Sequence, residues 1–102
     1  MTKYSAIRTE VDGITFASKR EAARYQELKL LQRGGMISNL ELQPVFPIII
    51  NGVRCGKYIA DFAYFDGAAR ITEDVKGMKT PVYRLKKKIV EALYPGLVIR
   101  EI

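Results

Sequence analysis

The sequence contains no histidine, no tryptophan and a single cysteine, Cys55. Without a second cysteine no intrachain disulfide can form, and without histidine the usual zinc-site spacings are missing. Any bound metal must then rest on oxygen ligands, which selects hard divalent cations, Mg²⁺ or Mn²⁺. No apolar run approaches the roughly 18 residues that span a bilayer; the longest lies around Ile48, Ile49 and Ile50. The opening segment MTKYSAIRTE has no apolar core of the kind a secretory signal requires. A cytoplasmic protein with no membrane partner and no small-molecule cofactor is the expectation. No internal repeat, low-complexity tract or Ser/Pro/Gly-rich linker separates residues 14 and 102, so residues 1–102 read as one domain.

What the chain has in quantity is positive charge. Seventeen Lys and Arg against 11 Asp and Glu give a net charge of +6, a footprint that suits a polyanionic partner. Lys79, Arg84, Lys86, Lys87 and Lys88 crowd one short segment, and Lys19, Arg20, Arg24, Lys29 and Arg33 stud an earlier one. The same pattern also describes two solvated helix faces.

Turn and cap signals order the chain. Residues 6 to 16 alternate loosely around Asp12-Gly13, which predicts a small hairpin or extended arm. Ser18 stands three residues before Glu21, the spacing of a capping box. Tyr25, Leu28 and Leu31 then recur at helical intervals until Gly34-Gly35, predicting a helix over about 18 to 33. VFPIII reads as a strand and Asn51-Gly52 as a type I′ turn. Residues 53 to 65 are expected as the return strand and Ala69 to Lys76 as a third, giving an antiparallel meander. Pro81 suits a first helical turn, and Val82, Leu85, Ile89 and Leu93 follow at intervals of three and four until Pro95-Gly96. A helix over about 81 to 94 and a closing strand LVIREI complete the order αβββαβ, an α/β fold of the α+β kind.

The chemistry gathers on the second and third strands. Asp61 ends the run Tyr58-Ile59-Ala60-Asp61, where a carboxylate is costly to bury without a partner. Asp74 and Lys76 are two apart on a strand, so they leave one face while Glu73 and Val75 leave the other. Asp61, Asp74 and the Val75 carbonyl are therefore expected to converge on one hard cation, flanked by Lys76. An ammonium in that position orients an attacking water and offsets charge growing on a phosphate, while the metal lowers the pKa of that water. Acid-x-Lys triplets arise readily by chance, and a second, Glu27-Leu28-Lys29, is set aside because residues two apart on a helix do not face each other. A solvated strand end accounts for either aspartate taken singly.

The series SKREAARYQEL, LELQP, YIADF, EDVKG and YRLKKKIVEALYPGLVIREI resembles the phage-type junction-resolving endonucleases of the PD-(D/E)xK superfamily. It is similar as well to a little-characterised family of phage and prophage proteins with that signature. The resemblance implies a restriction-endonuclease-like αβββαβ core, a small mixed sheet flanked by helices, in a phage- or prophage-encoded protein acting in a bacterial host. Ala60-Asp61 corresponds to the proline-aspartate pair, with alanine in place of the proline, and Asp74-Val75-Lys76 to the acid-x-Lys. It also implies an acid on the first helix, carried to Glu21, which shares a helical face with Tyr25 and Leu28 and is equally explained as part of a cap.

Gln43 is a further candidate for holding water. On the second helix, with Val82, Leu85, Ile89 and Leu93 inward, Arg84, Lys87 and Lys88 point outward and Tyr83 and Lys86 flank them. Lys79, Tyr83, Arg84, Lys87 and Lys88 are the expected DNA contacts, with Lys86 reaching the scissile phosphate. No base-reading element is apparent, so the expected activity is Mg²⁺-dependent cleavage of DNA, structure-selective or nonspecific. Two cuts require two sites, hence a homodimer. An inactive nucleic-acid-binding module and a structural protein of a phage-like assembly are the alternatives.

Overall fold

The computed structural model describes residues 7–102. Residues 1–6, which open the segment read as lacking a signal core and include the first residue of the expected arm, lie outside the described residues. A hairpin of β1 (Thr9–Val11) and β2 (Ile14–Phe16) turns through Asp12 and Gly13, whose φ angles of 54° and 76° are those of a type I′ turn. Helix α1 (Lys19–Arg33) is capped by Ser18, whose hydroxyl accepts the Glu21 N–H at 3.1 Å, and stops at Gly34-Gly35. It buries Ala22, Tyr25 and Leu28.

Beyond it the expected meander is corrected. Strand β3 (Ser38–Leu42) precedes it, and β4 (Val45–Ile50) pairs only with β5 (Val53–Ile59), through Asn51-Gly52, as a separate two-stranded sheet. The run 53–65 is two strands, since the chain bends at Ala60-Asp61 before β6 (Phe62–Asp66). The bend is pinned from both sides: the Ala60 N–H donates to the Pro44 carbonyl, the Gln43 N–H to the Asp61 carbonyl at 2.9 Å, and the Asp61 N–H to Glu73. Then come β7 (Ala69–Asp74), two residues shorter than expected, α2 (Pro81–Leu93) and β8 (Ile99–Glu101).

The main sheet has the order β3-β6-β7-β8, antiparallel except for the parallel pair β7·β8. The fold is α+β with a small mixed sheet. Leaving aside the separate β4–β5 sheet, the remaining elements after the first hairpin run αβββαβ, from partly different strands than the turn signals suggested. No helix among the described residues is long and apolar enough to cross a membrane.

Because side chains alternate along β6 and β7, each face of the sheet carries its own core. Phe62, Tyr64, Ile71 and Val75 pack with α1, whereas Ala60 and Ile99 pack with α2 and the inner face of the hairpin. On α2 the buried residues are Tyr83 and Val90, while Val82 and Leu85 are 64% and 59% exposed. Of the expected inward stripe, Ile89 packs against the core, whereas Val82 and Leu85 turn outward. Tyr83, Val90 and Tyr94 stack on Phe46, Ile48 and Tyr58 of the hairpin, and this aromatic surface sets the helix rotation.

Glu73 is completely buried on the α1 face. Arg24 of α1 grips it with two bonds, Nε to Oε1 at 2.8 Å and Nη2 to Oε2 at 2.6 Å, and the Tyr64 hydroxyl donates to the same carboxylate. Removing one member of such a buried pair strands the other charge, so Arg24→Ala is expected to cost about 3 to 5 kcal/mol. Urea denaturation checks this. A loss below about 1 kcal/mol, the scale of a solvent-screened surface pair, would show that the lock does not hold α1 to the sheet.

Candidate functional site

A cleft of about 510 Å³ opens where the start of α1, the bend at Asp61 and the end of β7 meet, lined by Ser18, Glu21, Gln43, Asp61, Val75 and Lys76 among others. The Ser18 cap starts α1 at the rim, which places Glu21 in the first turn over the cleft. Asp61 is fixed by its backbone bonds and by its side chain, whose Oδ2 accepts the Val75 N–H at 2.7 Å. Gln43, just past β3, has a left-handed φ of 51°. Such a conformation costs a non-glycine residue on the order of 1 kcal/mol and often marks a functional position.

Glu21 faces the Asp61 carboxylate, and its pKa is pushed up to about 7 from 4.5. Burial is the largest cause, followed by the hydrogen bond and the repulsion with Asp61; a backbone bond at Ala17 and the charge of Lys76 act in the other direction. Asp74 lies behind the cleft, on the α2 side of β7, and is 0% exposed. Burial, opposed by Lys76, pushes its pKa up to about 6 from 3.8. Lys76 Nζ stands 3.5 Å from Asp74 Oδ1, an ion pair but too long for a good hydrogen bond. Neither Asp74 oxygen has a hydrogen-bond partner, which is unusual for a fully buried carboxylate. The Lys76 ammonium also lies 4.7 Å from the centre of the Tyr83 ring.

The structure therefore arranges the expected site residues as a line. Glu21 meets Asp61, Asp61 holds the Val75 N–H, and Lys76 reaches Asp74 while its charge is felt at Glu21. Several expectations change. Asp61 sits in a bend and not on a strand, Lys76 lies beyond the end of β7, Asp74 does not line the cleft that Asp61 lines, and the defined contact of Val75 is through its N–H. Among the described residues no three acidic or sulfur ligands gather closely enough to grip a cation as they stand. The donor set is of the kind a hard cation takes: every side-chain oxygen in the line is a carboxylate or amide, and neither Asp74 oxygen is used in a hydrogen bond.

The proposed DNA contacts divide. Lys79, Arg84, Lys87 and Lys88 share a surface hollow of about 350 Å³, where Lys79 pairs with Glu101 at 3.2 Å and Lys87 with Glu91 at 3.7 Å. Tyr83 is not among them. It is 8% exposed, a core residue whose hydroxyl donates to Glu101 at 2.8 Å. Lys86 lines a neighbouring groove together with Lys76. Arg20, expected only as one of the basic residues of the first helix and not as part of the site, also lines the cleft and donates to the Ile102 carbonyl at 3.0 Å; its place beside Glu21 was the available signal.

The family model described as "Protein of unknown function (DUF1064)" matches residues 1–102, and the chain belongs to that family. No curated protein and no solved structure matches it.

Both raised carboxylates hold protons in the folded chain where the unfolded chain has released them. Their contribution to stability is full below about pH 4 and is lost as pH rises through about 6 to 7. A divalent cation competes for the same oxygens and binds better as they deprotonate. Thermal melts are expected to show Mg²⁺ raising Tm more at about pH 8 than at about pH 5 in the wild type, with Asp74→Asn flattening the pH dependence and losing the Mg²⁺ effect. An undiminished Mg²⁺ effect in Asp74→Asn would remove that residue from the ligand set.

Proposed function

We propose that this DUF1064-family chain is a metal-dependent DNA endonuclease of the PD-(D/E)xK type, hydrolysing phosphodiester bonds in branched or arbitrary DNA in the cytoplasm of a bacterial host. The observation that carries the reading is Asp74: fully buried, without a hydrogen bond at either oxygen, and two residues before a lysine that pairs with it and borders a cleft edged by Glu21 and Asp61. Asp61, Asp74 and the Val75 carbonyl, with Glu21 beside them, would hold Mg²⁺ or Mn²⁺. Such an ion, when bound, makes water more acidic and offsets charge on a phosphate.

The chain's own groups do the rest. Lys76 carries a fixed positive charge to the cleft, suited to orienting water and to stabilising negative charge on the phosphate. Glu21, with a proton affinity near neutrality, is matched to exchanging a proton with water at physiological pH. Gln43 brings an amide to hold that water. Lys79, Arg84, Lys87 and Lys88 give sequence-independent phosphate contacts, which fits cleavage selected by DNA shape and not by base sequence. The outward apolar residues Val82 and Leu85 offer a face for a second copy of the chain.

A binding module without activity is the second reading, favoured by the Asp74–Lys76 ion pair and by the absence of three gathered acidic ligands among the described residues. Incubation of the protein with a four-way junction, a flap, linear duplex and single strands, in Mg²⁺, Mn²⁺ or EDTA, separates the two. The nuclease reading expects metal-dependent products, with Asp74→Ala and Lys76→Ala each slowing cleavage on the order of 10³-fold and Glu21→Gln about 10²-fold. Cleavage that survives Asp74→Ala and Lys76→Ala, or salt-sensitive binding with no cutting in any metal, would overturn it.

A further inference from the structure

The β4–β5 hairpin contributes nothing to the cleft, yet β5 borders a groove of about 340 Å³ on the other side of Lys76. Lys57 and Tyr58 of β5, Lys76, and Lys86 of α2 line it, with Ile59 and Val82 as apolar wall. Three ammonium groups share this groove and no carboxylate lines it. Lys76 has Asp74, but among the described residues neither Lys57 nor Lys86 has a carboxylate within 4.0 Å. Clustered like charges repel unless an anion joins them. The hollow farther along α2 differs, since Glu91 and Glu101 already neutralise it in part.

The groove also has a helix start at its edge: Thr80, the N-cap of α2, lines it, which brings the positive end of the helix dipole there. Tyr58, only 4% exposed, lines it as wall, its hydroxyl closed off from solvent. Ammonium groups and a helix start together are the chemistry of a phosphate, while Ile59 and Val82 suit the apolar side of a sugar.

We propose that this groove is a second phosphate subsite, taking a phosphodiester neighbouring the one presented to the cleft, and that the β4–β5 hairpin is part of the substrate-binding surface. Lys76, shared by both concavities, marks where the two phosphates would flank. Placing the anion within a DNA strand rests on the nuclease reading; the anion site itself does not.

The test is binding without cutting: fluorescence anisotropy of labelled single-stranded and duplex DNA in EDTA, across a series of salt concentrations. Lys57→Gln/Lys86→Gln is expected to weaken binding about tenfold or more and to make the salt slope shallower by about 1 to 2. Arg33→Gln, at the far end of α1, should match the wild type. Wild-type affinity and slope in the double variant would overturn the subsite. Displacement of the strand by inorganic phosphate well below the ionic strength at which chloride acts would assign the groove to free phosphate and overturn the strand proposal. A shallower slope in a protein that cuts nothing in Mg²⁺ would keep the groove and remove the nuclease reading, so the two fail separately.

Discussion

A central strand that ends in two consecutive, fully buried carboxylates must neutralise both, and the molecule is organised around that demand. Glu73 and Asp74 leave opposite faces of β7 and neither is exposed. An unpaired buried charge is expensive enough to decide a fold's integrity. Glu73 is answered within the chain by Arg24 and Tyr64, an arrangement that also fastens α1 across the sheet. Asp74 is answered incompletely, by an ammonium 3.5 Å away and by no hydrogen bond. One carboxylate is locked by hydrogen bonds within the chain, then, and the other is held by a single ion pair.

That difference gives the sheet edge its chemical character. The lock on Glu73 fixes the end of β7, which fixes the Val75 N–H, which in turn orients Asp61. The bend carrying Asp61 is clamped between Gln43 and Glu73. Glu21 is brought against Asp61 by a helix whose start is set by Ser18. Oxygen donors, a lysine and a strained glutamine thus meet on a rigid support, the condition under which a functional group keeps its geometry. Lys76 faces two ways from this edge, toward the cleft and toward the groove under the hairpin.

Much of this was legible in the residues. The Ser18 cap, the stops of both helices, and the Asp-Gly and Asn-Gly turns were readable because each depends on chemistry within a few positions. The two-residue period of Glu73 to Lys76 correctly separated a lysine-side face from the face of Glu73. Three things were not legible. Strand β3 is short and interrupted by a register shift between Ser38 and Glu41, so the alternation of Leu40 and Leu42 hints at a strand beside Gln43 without giving its extent. The break at Ala60-Asp61 has no glycine or proline to mark it, because distant backbone partners impose it. The rotation of α2 was misread because the helix carries two apolar stripes, and the aromatic face of the hairpin selects the one with Tyr83 and Val90. Tyr83 consequently moves from the expected DNA surface into the core, and Lys57 and Tyr58 acquire an importance that their positions along the chain did not suggest.

If Asp74, incompletely answered by Lys76, is a cation's place, the ion should be visible there. Crystals grown with Mn²⁺ test it directly, through an anomalous difference map. The expected result is a peak roughly 2 Å from an Asp74 oxygen, shared with Asp61, and a Lys76 ammonium moved off its present contact. A map with no peak there, and Lys76 still paired with Asp74, would contradict it.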